Sequence, residues 1–121
     1  MVSSLNVGDS IYTEPIIDGN DLFVSTENGT IRKVTYDQVT NQFTIIWEKD
    51  MNQRLTSPLA VVNHRLCVGG EKGLLIQLDI ENGELVQQTK LKHAPQHVLE
   101  YNGYFLLLSN KGQVDLIMIK Q

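Results

Sequence analysis

Cysteine, proline and long apolar runs are all scarce in this chain of 121 residues, which holds one cysteine and three prolines. A lone Cys67 excludes an internal disulfide, and its neighbours Leu66 and Val68 make it read as a small buried apolar residue. No stretch approaches the roughly 20 apolar residues that a membrane helix needs, so no membrane insertion is expected. The opening Met1-Val-Ser-Ser-Leu-Asn-Val-Gly8 has neither a basic start nor an apolar run, so no secretory signal is expected and the chain reads as soluble. The compartment stays open, with cytoplasm favoured on these grounds. Positive charge is also short: ten Lys and Arg against fourteen Asp and Glu leave a net charge of −4. That balance gives a phosphate backbone little to bind, and nucleic acid is not expected as a partner.

Helical patterning is missing too. Apolar residues come in short runs or in alternation, bounded by Asn-Gly, Asp-Gly or Lys-Gly, which is the pattern of strands and hairpins. The chain also repeats itself. Pro15-Ile-Ile-Asp-Gly-Asn-Asp-Leu-Phe-Val-Ser-Thr-Glu-Asn-Gly29 aligns with Pro58-Leu-Ala-Val-Val-Asn-His-Arg-Leu-Cys-Val-Gly-Gly-Glu-Lys-Gly73, with one extra residue placed in the second turn. A looser third copy runs from His97 to Gly112. The turn glycines Gly29, Gly73 and Gly112 recur at intervals of 44 and 39 residues, near the roughly 40–45 of a four-stranded propeller blade.

The first copy predicts strands near Ile11–Ile17, Asp21–Thr26, Thr30–Thr35 and Gln42–Glu48. In the second they fall near Thr56–Val62, Arg65–Gly69, Leu74–Asp79 and Glu84–Leu91. The third offers Gln96–Glu100, Tyr104–Ser109 and Gln113–Ile119, with no fourth strand. We therefore expect an all-β, propeller-type domain over residues 1–121, about three four-stranded antiparallel blades at 11–50, 54–92 and 96–119, with 4–7 as a completing strand. Leu5 and Val7 on that strand, and Leu116 and Met118 on the last one, are the candidate strand-completion interface. An uncovered last strand would be an aggregation hazard. Propellers close with four to eight blades, so three should not close alone. Three completions are open: a longer propeller of which this is a segment, a different protein, or a second copy joined head to tail into six blades.

These blades resemble the pyrroloquinoline-quinone-like repeat propellers, which include quinoprotein dehydrogenases and outer-membrane assembly factors of the BamB kind. Thr13-Glu-Pro15 and Thr56-Ser-Pro58 match the family's blade start. Leu22-Phe-Val24, Leu66-Cys-Val68 and Phe105-Leu-Leu107 match its inner strand. Leu78-Asp79-Ile-Glu-Asn-Gly83 matches the turn before the outer strand, and Asp37-Gln-Val-Thr40-Asn41 does so more loosely. Trp47 is the counterpart of the family's docking tryptophan, displaced by two inserted residues, and Gln87 holds that place in the second copy. Gly-His and Trp-Asp pairs are absent, which counts against WD repeats. The resemblance implies a propeller segment whose function is either scaffolding or, as the alternative, part of a larger enzyme such as a quinoprotein dehydrogenase. None of the quinone or metal ligands of the dehydrogenases can be carried onto positions here, so no cofactor and no enzymatic activity are expected.

Other motifs resolve to structure. His93 and His97 are four apart, but Pro95 between them breaks any helix that would align their rings. Asp18-Gly-Asn-Asp21 lacks the spacing and the closing glutamate of a calcium loop. Gly69-Gly70-Glu71-Lys72-Gly73 lacks a Gly-Lys-Ser/Thr ending and a helix to receive phosphate. Asn28-Gly29-Thr30 is a glycosylation sequon whose Asn-Gly also suits a hairpin tip. The aromatics Tyr12, Tyr36, Trp47, Tyr101 and Tyr104 are candidates for anchoring a protein partner, with packing between blades as the competing role. The expected function is thus a non-catalytic interaction or assembly scaffold that binds a protein partner or itself.

Overall fold

The computed structural model describes residues 4–6, 11, 14–109 and 112–118. Tyr12, Thr13, Val7 and Ile119 lie outside the described residues. Among the described residues there are eleven strands: β1 Ile16–Asp18, β2 Asp21–Ser25, β3 Thr30–Asp37, β4 Gln42–Asp50, β5 Ala60–Val62, β6 Arg65–Gly70, β7 Leu74–Asp79, β8 Leu85–Lys90, β9 His97–Tyr101, β10 Tyr104–Leu108 and β11 Val114–Met118. They form two four-stranded sheets, β1-β2-β3-β4 and β5-β6-β7-β8, and a three-stranded sheet, β11-β10-β9. Every pairing is antiparallel and joins neighbours in sequence, so each sheet is a meander and one propeller blade.

The inner strands are shorter than the sequence suggests. Residues 56–59 carry no strand, and only the bridge Leu55↔Gly70 extends the pairing beyond Ala60. Pro58 has no N–H to give a ladder. Ser57 compensates: its Oγ accepts the Gly69 N–H at 2.8 Å, and Thr56 N–H donates to the Gly69 carbonyl at 2.8 Å. Among the described residues of the first copy, the ladder runs from Ile16, apart from the bridge Ile11↔Thr26. Register also moves the extra residue of the second copy. Both inner hairpins turn through two residues, Gly19-Asn20 and Asn63-His64, so the insertion precedes β5 and lies in no turn.

One irregularity repeats that the alignment did not show. Lys33 pairs with Trp47 and Val34 with Ile45, which skips Ile46. Gln77 pairs with Gln87 and Leu78 with Leu85, which skips Val86. A β-bulge therefore occupies the same place in both outer hairpins, bending them alike. The first hairpin then runs on through Tyr36↔Phe43 to Asp37↔Gln42, whereas the second closes with Asp79 N–H on the Glu84 carbonyl. This longer hairpin accounts for the residues inserted ahead of Trp47.

The sheets stack in chain order with the second in the middle. Phe23, Ile31 and Trp47 of the first sheet pack with Leu66, Val68, Ile76 and Leu78 of the second, and Met51, Leu55 and Leu59 from the connection close that core. On the opposite face of the second sheet, Cys67 and Leu75 pack with Val98, Phe105 and Leu107 of the third. Strand neighbours point to opposite faces, so burial of both faces turns Leu66–Gly70 into an unbroken buried run. The third sheet, covered on one face, shows alternation instead: Phe105 and Leu107 are buried, Tyr104 is exposed and Leu106 is half-buried.

Candidate functional site

The joint between the first two blades is built by the row Ile16–Phe23–Lys33–Trp47 across β1 to β4. Trp47, 9% exposed, lays its indole on Gly83 of the next blade's turn, where an added Cβ would lie 2.5 Å from Cε3. Its Nε1–H donates to the Ile80 carbonyl at 3.3 Å, and the Lys33 ammonium donates to the same oxygen at 3.3 Å. Lys33 also lies 3.9 Å from Asp21 and 4.0 Å from Glu81, and 5.7 Å over the Phe23 ring. Burying an ammonium is tolerable here because a carbonyl, two carboxylates and a π face compensate it. The second joint has a different link: Thr56 Oγ1–H donates to the Pro95 carbonyl at 2.6 Å, tying the start of one blade to the entry of the next.

Each sheet thus has a face that meets the preceding blade and a face that meets the following one. Register assigns the two faces left uncovered by a neighbouring sheet. On the third sheet the outward face carries Leu99 and Tyr101, Tyr104, Leu106 and Leu108, and Val114, Leu116 and Met118. Leu116 is 55% exposed and Met118 64%. On the first sheet the outward face carries Ile17, Leu22, Val34, Tyr36, Phe43 and Ile45. Tyr36 and Phe43 pack there with ring centroids 5.0 Å apart, and Tyr36 Oη–H donates to Asn41 Oδ1 at 2.9 Å. Residues 4–5 lie against part of this face: Ser4, Leu5, Ile11 and Pro15 enclose, with sheet residues including Leu22, Val34 and Phe43, an apolar cavity of about 340 Å³.

The sequence candidates separate accordingly. Trp47 is engaged inside the chain, in the packing role. Tyr101, Tyr104, Leu116 and Met118 come together on the outward face of the third sheet, and Tyr36 lies on the outward face of the first. Leu5 lies in an irregular segment on the first sheet's outward side, while Tyr12 and Val7 fall outside the described residues. The sequence reading missed Leu99, Leu106, Val114, Ile17, Phe43 and Ile45. A signal was available for Leu99, Leu106 and Val114, which share an alternation phase with Tyr101, Tyr104 and Leu116; Phe43 and Ile45 share the parity of Trp47 but the bulge at Ile46 turns them to the opposite face.

No group of three or more His, Cys, Asp and Glu is placed to hold a metal among the described residues. Asp18–Asp21 is the tight β1–β2 turn, and Gly69 and Gly70 are strand residues of β6. Asn28 Oδ1 accepts from Thr26 Oγ1–H at 2.6 Å and from Thr30 N–H at 3.3 Å, so the sequon is a hairpin turn in this fold. A shallow polar groove lies between Glu27, Asn28, Asn52, Gln53, Arg54 and Glu71, and Arg54 N–H donates to Glu71 Oε1 at 3.2 Å there. Burial pushes the Cys67 thiol up to about 12, which suits an inert core residue. Among the described residues no helix is long and apolar enough to cross a membrane.

Residues 41–115 match the family model of outer membrane protein assembly factor BamB. The chain belongs to this family. BamB from Moraxella catarrhalis superposes with a TM-score of 0.70 at 14% identity, over 85% of this chain and 31% of that one. A europium-containing methanol dehydrogenase matches with a TM-score of 0.68 at 16% identity, over 85% of this chain and 21% of that one. The computationally designed Ika4 protein matches with a TM-score of 0.59 at 14% identity, over 99% of this chain and 98% of that one. No curated protein matches the sequence. This chain therefore spans about a third of the BamB structure and about a fifth of the dehydrogenase. The propeller fold accounts for the outward faces, because a propeller has such faces at every blade boundary.

Proposed function

We propose that the chain is a non-catalytic interaction scaffold, a segment of BamB-type blades whose function is exercised through its two outward sheet faces. The observation that carries this reading is the composition of those faces. A sheet face turned to water is expected to alternate into polar residues, yet the third sheet presents Leu99, Leu106, Val114, Leu116 and Met118, with His97, Tyr101 and Tyr104 as the members that carry polar groups. Contiguous apolar surface of this kind supports recognition of protein. The ion pair Arg32–Glu48 at 2.9 Å bridges two strands of the first sheet, and the Lys33 cluster bridges the first two blades.

Enzyme chemistry of the dehydrogenase kind is the reading this proposal displaces. The purified chain, titrated with pyrroloquinoline quinone and calcium, should show no saturable quenching of Trp47 and no reduction of an artificial electron acceptor with an alcohol. Stoichiometric quinone binding would overturn the scaffold reading.

A further inference from the structure

We propose that Asn102 is a site of covalent change in the backbone, where the side-chain amide is lost as ammonia and the hairpin tip between Tyr101 and Tyr104 becomes aspartate or isoaspartate. The chain holds three Asn-Gly pairs, Asn28-Gly29, Asn82-Gly83 and Asn102-Gly103, each between two strands. Glycine after asparagine favours this reaction, because no side chain shields the nitrogen that must attack.

The chemistry needs water and no other reactant. The Gly103 nitrogen, having given up its proton to base, attacks Asn102 Cγ. The new C–N bond closes a five-membered succinimide as the bond to the side-chain nitrogen breaks and ammonia leaves. Water then opens the ring. Opening at Cγ gives aspartate, and opening at the main-chain carbonyl gives isoaspartate, in which the chain runs through the side-chain carbon. The sum is asparagine plus water going to acid plus ammonia, with nothing oxidised or reduced.

Sequence makes the three pairs equal, and the fold separates them. At the first, Gly29 N–H donates to the Thr26 carbonyl at 3.0 Å, and Asn28 Oδ1 accepts from Thr26 Oγ1–H at 2.6 Å and Thr30 N–H at 3.3 Å. Gly29 is buried, and the Gln53 carbonyl fills the space where its Cβ would stand. At the second, Gly83 N–H donates to the Asp79 carbonyl at 2.8 Å, Asn82 Oδ1 accepts the Glu84 N–H at 2.9 Å, and the Trp47 indole lies on Gly83. In both, the nucleophile is engaged as a donor, the amide is held, and bringing the two together displaces a packed neighbour.

Asn102-Gly103 has none of these restraints. Both residues are exposed, and neither the Asn102 side chain nor the Gly103 N–H has a hydrogen-bond partner among the described residues. Nothing lies within 4 Å of a Cβ on Gly103. The positive φ values of 49 and 83 make a two-residue hairpin turn closed by the pair Tyr101↔Tyr104. Fraying of that last pair is enough to free the turn, the least costly class of opening. Asp18-Gly19 has an equally open glycine, but a carboxylate has no amide to expel and resists attack by an anionic nitrogen. The product alters the outward face of the third sheet. It sets a carboxylate between Tyr101 and Tyr104, and isoaspartate lengthens a turn whose length fixes the register of β9 on β10. Val98 and Phe105 hold the rest of the hairpin in the core, so the disturbance stays with the two tyrosines.

The full chain is held at mildly alkaline pH, folded and in parallel in urea, and followed by peptide mapping with mass spectrometry and by enzymatic methyl transfer to isoaspartate. In the fold Asn102 should convert roughly tenfold or more faster than Asn28 and Asn82, and in urea the three should differ little. Asn102→Gly, which suits the positive φ, should keep the strand circular dichroism and remove most of the ammonia release and of the gain in negative charge on ion exchange. Faster conversion of Asn28 or Asn82 in the fold, equal rates at all three, or a folded Asn102 that stays intact while the unfolded chain reacts would each overturn the proposal. Quinone binding would leave it standing, because it rests on the turn and not on the scaffold reading.

Discussion

At the scale of single residues, the first joint concentrates its geometry on Trp47 and Gly83. Gly83 has φ +76, and a methyl there would meet the indole at 2.5 Å. Gly103 has φ +83 and nothing within 4 Å of an added Cβ. Gly103→Ala should therefore lose only the backbone term, about 1 kcal/mol, whereas Gly83→Ala should lose about 2–4 kcal/mol by adding displacement of the ring. Urea unfolding measures both, and a red-shifted Trp47 emission in Gly83→Ala alone is the accompanying signature. Equal losses with unchanged emission would mean the indole is not seated as described. Cys67 makes a second prediction. A thiol ionises near 9.0 in an unfolded chain, and burial raises it to about 12 in the fold. Its contribution is present in full below the unfolded value and is lost as the pH rises towards 12, because only the unfolded chain then releases the proton. The loss reaches on the order of 4 kcal/mol at the top of that window. Stability from pH 8 to 11 should fall more steeply for the native chain than for Cys67→Ala; parallel curves would show that the thiol is not shielded.

At the scale of elements, strands were legible because turns and alternation are local properties. The sequence places β7 at Leu74–Asp79, as the structure does, because Gly73 and the Asp79–Gly83 turn bound it on both sides. The starts of the inner strands were not legible. Thr56–Leu59 has apolar residues and a β-branched one, yet its hydrogen bonds run through Ser57 Oγ and the Thr56 hydroxyl, a side-chain substitution that periodicity does not register. The twin bulges at Ile46 and Val86 were invisible for a related reason: a bulge shifts alternation by one residue, and two apolar residues in a row look like an ordinary buried run. Face assignment suffered most. Trp47 was visible as an aromatic, but whether it met a partner or the next blade depended on the bulge that sets its phase. Leu106 was read only as part of the inner strand Phe105–Leu107, whose two other members are core.

At the scale of the whole molecule, stability depends on what covers the two outward faces. The middle sheet is buried on both sides, but the first and third are each covered by one neighbouring sheet and present Ile17, Ile45, Leu116 and Met118 to water. Whatever covers these faces would remove that surface at roughly 25 cal/mol per Å² of apolar area. Mass action then links melting to concentration, since anything that binds the native state and not the unfolded one raises its melting temperature. A tenfold rise in protein is worth about 1.4 kcal/mol to a pair, which at this size corresponds to roughly 2–4 °C. Differential scanning calorimetry across a hundredfold concentration range separates the occupants: a climb for the native chain that Leu116→Glu flattens would mean that copies of this chain cover one another. A flat line for both would mean that one copy reaches its full stability alone, and that the apolar faces serve some other partner.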